Sequence, residues 1–159
     1  MSPGEVELRL MEEALRLAEA ALRLGEVPVG ALVVSPRGEV VSRAHNMRET
    51  LRDPFAHAEA LAIREASFRL GSWRLEGFTL YSTLEPCPMC AGLVLLSRLS
   101  RVVFGAFDPR MGAMGSLYQL HRDLRLNHRP EVVGGVMRER AEELISRFFR
   151  GLRARVRRT

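Results

Sequence analysis

Apolar side chains follow two different spacings along this chain of 159 residues. Between residues 5 and 24 they recur every three or four positions, which is the period of an amphipathic helix, and Gly25 provides its end. Short apolar runs at residues 29–34 and 40–41 enclose the turn-forming residues 35–38 and predict a β-hairpin. The chain is therefore expected to begin with a helix and two strands.

The rest of the chain alternates between helix and strand patterns. A polar loop is predicted over 45–55, and helices are predicted over 57–71, 87–99 and 138–152. Strands are predicted over 78–84, 101–106 and 132–136, and a glycine-rich loop over 108–116 leaves room for a short helix near 117–120. This alternation predicts an α/β fold whose mixed or parallel sheet is covered by helices on both faces.

The composition is that of a soluble globular protein, with 47% hydrophobic and 27% charged residues. The length predicts a single domain over residues 1–159. No run of about 18 apolar residues occurs, so no membrane association is expected. The acidic N-terminal helix is also unlike a signal peptide.

Positive charge is concentrated at the C-terminal end. Residues 138–159 hold eight arginines and three glutamates, whereas the charges of residues 1–137 cancel. After Glu143 there are six arginines and no acid. A basic end of this kind predicts phosphate binding, and the alternative is a solvated, frayed tail.

The residues with the clearest chemistry form the pattern H-x-E followed by P-C-x-x-C, namely His57, Glu59, Cys87 and Cys90. Two thiolates and one imidazole provide three zinc ligands, one fewer than a closed structural site requires. A catalytic zinc site fills the fourth position with water, and a free carboxylate can act as the base. The pattern therefore predicts one Zn²⁺ and hydrolysis, with Glu59 moving the protons.

The spacing within this motif predicts where each residue lies. Cys87 and Cys90 are three apart, so they share one face of a helix, and the positive end of the helix dipole favours their thiolate forms. His57 and Glu59 are two apart, so we place His57 at the very start of its helix and Glu59 just inside. Both helix N-termini are expected at the carboxyl ends of strands. Because the motif uses both cysteines, none is left for a disulfide, which predicts a cytoplasmic protein.

With its flanking segments, the motif resembles the bacterial tRNA-specific adenosine deaminases of the cytidine deaminase superfamily. The resemblance extends over nearly the whole chain, from residues 27–31 (Val-Pro-Val-Gly-Ala) to Phe148 and Phe149. It also includes Asn46, Asp108 and residues 53–54, 83–92, 101–106, 112–116 and 127–129. The zinc motif is shared by the whole superfamily, whereas the combination of flanking segments is typical of the tRNA branch.

The resemblance implies a cytidine-deaminase-like three-layer α/β/α sandwich with a central five-stranded mixed sheet. It also implies a homodimer, with one zinc ion per subunit, that converts adenosine to inosine at the wobble position of a tRNA anticodon. The expected substrate is the anticodon stem-loop of an arginine tRNA with the anticodon ACG. Zinc-bound hydroxide would attack C6 of the adenine while Glu59 shuttles protons, so no redox or nucleotide cofactor is expected.

The same resemblance assigns residues to the RNA. Around the base it implies contacts from Val29, Asn46 and Ala58 and from the backbone of Leu84 and Glu85. Asp108 is expected beside the 2′-hydroxyl. Phe149 is expected to stack on a loop base, and Arg150 and Arg153 to bind phosphates. By pattern alone, Asn46 and Asp108 are also explained as turn residues, Val29 as strand core and Phe149 as helix core.

Two other functions remain open from the sequence. Another enzyme of the superfamily, such as a free guanine or cytosine-type deaminase, would share the zinc motif but would not need a basic C-terminal end. A zinc-stabilised RNA-binding protein without catalysis would close its site with a fourth ligand, for which His45, His121 and His128 are the candidates.

Overall fold

The computed structural model describes residues 2–158, which form a five-stranded sheet with helices on both faces. The helices are α1 (Pro3–Arg23), α2 (Arg48–Leu51), α3 (Ala58–Leu70), α4 (Pro88–Ser97) and α5 (Arg138–Arg158), and Leu120–Arg122 forms a 3₁₀ helix. The strands are β1 (Gly30–Val34), β2 (Val40–His45), β3 (Thr79–Leu84), β4 (Arg101–Ala106) and β5 (Glu131–Val133).

The sheet is mixed and has the strand order β2-β1-β3-β4-β5. Strand β1 is antiparallel to both β2 and β3, whereas β3, β4 and β5 are parallel to one another. As a result, β2, β3 and β4 all end at the edge of the sheet where β1 begins. The residues that follow these strands are thereby brought together, although they are far apart in the sequence.

Alternating strand residues supply two hydrophobic cores, one on each face of the sheet. Leu80 and Val102 pack in the core shared with α3 and α4. Their neighbours Tyr81 and Val103 point the other way, into the core shared with α1 and α5. The predicted three-layer sandwich is therefore confirmed. No helix within residues 2–158 combines the length and apolar character needed to cross a membrane.

A close approach between α1 and the sheet fixes the start of β1. A Cβ atom at Gly30 would lie 2.0 Å from the carbonyl oxygen of Ala14, so only glycine permits this packing. The Gly30 amide donates a buried hydrogen bond of 3.1 Å to Oγ1 of Thr83, near the end of β3. The start of β1 is thus held beside the end of β3.

Several predicted boundaries were wrong. The segment 45–55, predicted as a loop, contains the end of β2 and the whole of α2. The short helix lies at Leu120–Arg122 rather than near 117–120, and β5 stops at Val133, before the turn at Gly135, which has a φ of 88°.

The basic end is helical through Arg158 and is exposed from Arg150 onward, so it is solvated, as the alternative expected, but forms a helix. Two ion pairs support this helix, Arg138 with Glu142 at 2.6 Å and Arg150 with Glu143 at 3.0 Å.

Candidate active site

A pocket of about 370 Å³ opens at the edge where β2, β3 and β4 end. Most of the residues predicted for the site line it, namely Val29, Asn46, His57, Ala58, Glu59, Leu84, Glu85, Cys87 and Asp108. Cys90 is fully buried and lies in contact with His57. The lining also includes Val27 and Pro54, which lie in segments of the family resemblance but were given no role, and Arg48 and Met111, for which the sequence carried no recognised signal.

The three predicted zinc ligands meet at the floor of this pocket. Nδ1 of His57 lies 3.5 Å from Sγ of both Cys87 and Cys90, and the three ligand atoms all lie within 4.8 Å of one another. Zinc bonds of about 2.3 Å to sulfur and 2.0–2.1 Å to nitrogen place tetrahedral S and N ligands about 3.6 Å apart. The spacing and the donor types therefore fit a zinc ion.

Two of these ligands occupy the same position in two different helices. His57 is the N-cap of α3, with φ −73° and ψ 149°, and Cys87 is the N-cap of α4, with φ −73° and ψ 175°. This confirms the predicted place of His57 and shows that Cys87 lies just outside its helix. Both helix N-termini direct their positive dipole ends at the ligands, which favours thiolate at the site.

The two thiols differ in acidity before a metal binds. A hydrogen bond from the Cys90 thiol, aided by His57, lowers the pKa of Cys87 to about 4 although burial opposes it. The same hydrogen bond and burial raise the pKa of Cys90. Binding of zinc by both sulfurs must release the Cys90 proton, which makes zinc affinity depend on pH.

No fourth ligand closes the site within residues 2–158. The ligand group there consists of His57, Cys87 and Cys90. Of the other histidines, His45 has Nδ1 3.0 Å from the carbonyl oxygen of Asn46, and His128 has Nε2 2.7 Å from that of Leu99. Nδ1 of His121 is buried without a partner, outside the ligand group. The arrangement is that of an open, catalytic zinc site.

Glu59 lies in the first turn of α3, beside the ligands, and is 4% exposed. Burial raises the pKa of its carboxyl to about 7, against opposing effects of its own backbone amide, His57 and Cys90. A carboxyl with a pKa near neutrality can both accept and release a proton under physiological conditions. This is the acidity that a proton carrier beside an attacking water needs.

Glu85 has a structural role that the sequence did not reveal. Its carboxylate accepts hydrogen bonds from the amides of Asp108 (3.0 Å), Met114 (3.1 Å) and Ser116 (2.9 Å) and from the Ser116 hydroxyl (2.5 Å). A Cβ atom at Gly112 would lie 2.3 Å from the Glu85 carboxyl carbon, so the loop can close over Glu85 only with glycine there. Glu85 therefore holds one wall of the pocket.

Asn46 and Asp108 both form turn contacts and both line the pocket. The Asn46 side chain donates to the carbonyl oxygen of Val27 and accepts from the Arg48 amide, each at 3.2 Å. One oxygen of Asp108 accepts from the amides of Arg110 (3.0 Å) and Met111 (3.3 Å). Both side chains thus stabilise turns, and both still line the pocket with further hydrogen-bonding capacity.

The predicted RNA contacts on α5 lie outside the pocket. The Arg110 guanidinium lies 5.9 Å from the centre of the Phe149 ring, which places Phe149 beside the loop that follows β4. Phe149 is half-buried, Arg150 pairs with Glu143, and Arg153 is exposed. These residues are available to a large substrate around the pocket but not to a free base inside it.

The comparison with known proteins agrees with this geometry. The family model for the cytidine and deoxycytidylate deaminase zinc-binding region matches residues 5–106, which include all three ligands and Glu59. The tRNA-specific adenosine deaminase of Bacillus subtilis (strain 168) is 55% identical over 143 residues, covering 90% of this chain and 88% of that protein. The chain belongs to the tRNA-specific adenosine deaminase family.

Solved structures support the same family. One, from studies of A-to-I editing by tRNA:A34 deaminases at the wobble position of transfer RNA, has a TM-score of 0.81 at 40% identity, over 84% of this chain and 96% of that one. A guanine deaminase from Nitrosomonas europaea has a TM-score of 0.78 at 23% identity, over 92% and 84% of the two chains. The second likeness shows a shared fold alone.

Proposed function

We propose that this protein is a zinc-dependent deaminase that converts adenosine to inosine at the wobble position of a tRNA anticodon. The observation that carries the proposal is the open His57–Cys87–Cys90 ligand set with buried Glu59 beside it. The similarity to tRNA-specific adenosine deaminases and the basic helix α5 support the choice of substrate. Residues 1–159 would form one deaminase domain with a basic C-terminal helix.

Zinc held by His57, Cys87 and Cys90 would supply Lewis acidity, which makes a water molecule nucleophilic at neutral pH. Glu59 takes a proton from the attacking water and delivers protons to N1 of the adenine and to the leaving amine. Water and adenosine are consumed, and inosine and ammonia are formed. Glu59 is buried beside the ligands and can accept a proton and release it again, so one carboxyl can serve both transfers within one turnover.

The pocket would hold the base by shape and by a small number of polar groups. Its volume of about 370 Å³ suits a small flat ligand. Val29, Ala58 and Leu84 provide apolar surface, and Leu84 and Glu85 line the pocket, so their backbone would be available to the exocyclic amine. The Asn46 amide keeps one donor and one acceptor for the base or ribose after its two turn contacts.

Asp108 is proposed to distinguish RNA from DNA. Its backbone amide is fixed by Glu85 and one carboxylate oxygen is used by the turn, so the remaining oxygen can accept from a ribose 2′-hydroxyl. Further out, Phe149 would stack on a loop base, and Arg150 and Arg153 would approach phosphates of the stem-loop. These residues would make the enzyme read a folded RNA rather than a free base.

We also propose a homodimer that acts in the cytoplasm. Leu96 on α4 is 68% exposed, whereas its neighbours Val94 and Leu95 are buried, so this side of α4 presents apolar surface to a partner. Molecular mass in solution tests the dimer, and Leu96→Glu should shift the protein towards the monomer. A wild-type protein that is monomeric at micromolar concentration would contradict it.

A panel of substrates tests the proposed reaction. The zinc-loaded protein should form inosine in an ACG anticodon stem-loop and should leave free adenosine and free guanine unchanged. Turnover of guanine without action on the stem-loop would instead assign a small-molecule deaminase. Stem-loop binding without any deamination would assign a non-catalytic RNA-binding protein.

A further inference from the structure

Arg48 is a pocket residue that zinc chemistry does not explain. It is the first residue of α2, it is exposed, and it lines the mouth of the pocket. Apart from it, the lining contains no arginine. Within residues 2–158, no carboxylate oxygen lies within 4.0 Å of its guanidinium, although ten such ion pairs form elsewhere in that range. Arg48 is therefore a cation beside the site that no carboxylate of the described residues pairs with.

The segment that carries Arg48 is exposed, but hydrogen bonds to the side chains of two other residues hold its backbone. Helix α2 has four residues, which is too short to be stable by itself. Glu26, which is fully buried, accepts hydrogen bonds from the amides of Glu49 (3.1 Å) and Thr50 (2.7 Å) and from the Thr50 hydroxyl (2.7 Å). Asn46 accepts from the Arg48 amide itself. The backbone below the arginine is thus fixed from two sides.

The Glu26 carboxyl has to be ionised to accept these three hydrogen bonds. Burial favours the neutral form, but the hydrogen bonds from Thr50 and Glu49 outweigh it and keep the pKa of Glu26 below its usual value. An ionised carboxylate accepts hydrogen bonds only, which matches the three donors that it meets. Because α2 is already ordered in the free protein, a ligand that binds Arg48 does not have to bear the entropic cost of ordering it.

We propose that Arg48 binds a phosphate of the RNA backbone next to the target nucleotide, and that Glu26 is the positioning residue that holds Arg48 there. The inference rests on the proposed function, in which the RNA backbone brings a phosphate to the mouth of the pocket while the target base occupies its floor. A guanidinium is suited to this contact since its donors match the geometry of phosphate oxygens.

The test compares Arg48→Ala with Arg37→Ala on an ACG anticodon stem-loop. Arg37 is a suitable control because it lies in the turn between β1 and β2, at the far end of these strands from the pocket, and is also exposed. Arg48→Ala should raise KM about tenfold with kcat within about twofold. It should also reduce the slope of log Kd against log salt by about 0.7, the value for one single-strand phosphate contact. Arg37→Ala should change neither quantity.

Glu26 is tested by its coupling to Arg48. Glu26→Gln turns an amide donor towards backbone donors, so KM should rise as it does for Arg48→Ala. The double variant should be no worse than Arg48→Ala alone, because Glu26 acts through the arginine. If Glu26→Gln does not fold, Thr50→Val, which removes one of the three hydrogen bonds, takes its place. Additive losses in KM would overturn the positioning role.

The outcomes separate this inference from the proposed function. If wild type forms inosine and Arg48→Ala matches it in KM and salt slope, the phosphate contact is wrong and the deaminase remains. If wild type forms no inosine in any stem-loop, the proposed function fails first, and the phosphate contact fails with it.

Discussion

Glu59 and Glu85 both line the pocket and are almost fully buried, at 4% and 1% exposure, but their surroundings differ. Glu85 meets four hydrogen-bond donors from the loop after β4. Glu59 has its own amide and the Cys90 thiol near it, which do not offset burial, so its pKa rises to about 7. Burial with sufficient donors fixes a carboxylate in place, whereas burial without them raises the pKa of a carboxyl, which is the property that the proposed proton transfer needs.

Loss of the metal should have the largest effect, because it should abolish the reaction that Glu59 serves and leave the hydrogen bonds of Glu85 in place. Cys90→Ser replaces a buried thiolate ligand by a hydroxyl, so zinc content should fall from one per chain to nearly none and deamination should be lost. The melting temperature should also fall. The hydrogen bonds to Glu85 should persist, which slow amide exchange at Met114 and Ser116 would show. A zinc-loaded Cys90→Ser protein with wild-type activity would contradict the assigned ligand set.

Removal of the anchor should affect stability more than chemistry. Glu85→Gln directs an amide group at donors, so the free energy of unfolding should fall by about 2–4 kcal/mol in chemical denaturation. Exchange at Met114 and Ser116 should become faster while zinc content is retained. Glu76→Gln is the control, because Glu76 is exposed and its pair with Arg74 is a surface one. Equal stability of the two variants would remove the anchor role.

The exposed end of α5 should affect RNA binding and leave the pocket unchanged. Deletion of the residues after Gly151 removes Arg153, Arg155, Arg157 and Arg158, for which residues 2–158 contain no ion-pair partner. Binding of the full tRNA should weaken on the order of 10²-fold and depend less steeply on salt. Fluorescence anisotropy at several salt concentrations measures both. An unchanged salt slope would show that the helix end does not touch RNA.

The smallest expected effect is a change of selectivity at Asp108. Asp108→Asn keeps an oxygen for the turn but replaces the other oxygen by an amide donor. The preference of kcat/KM for an RNA hairpin over the matched DNA hairpin should fall about tenfold, with zinc content unchanged. Identical preferences in the variant and the wild type would leave Asp108 as a turn residue only.

The zinc ligands and Glu59 could be predicted because their signal is local. Metal ligands need particular residue types, and His57 and Cys87 lie at helix starts that the neighbouring sequence also indicates. The alternation of helix and strand patterns likewise predicted three layers, since apolar residues recur with a different spacing in helices and in strands. The family resemblance then identified most of the pocket wall.

The structural roles of Glu85 and Glu26 could not be predicted in the same way. The partners of Glu85 are 23 to 31 residues away and are mostly backbone amides, which every residue type except proline provides. Glu26 likewise binds amides 23 and 24 residues away. The end of α5 was placed too early because its last turn is rich in arginine and has little apolar periodicity.

In the most direct test, zinc-loaded wild type and Glu59→Gln are each incubated with an arginine tRNA that has the anticodon ACG. Inosine is read by sequencing at each position, and zinc is measured in the same samples. Wild type should form inosine at the wobble base alone, and Glu59→Gln should hold one zinc per chain but react at least about 10³-fold more slowly. Wild-type rates in the variant, or no inosine from zinc-loaded wild type, would contradict the account.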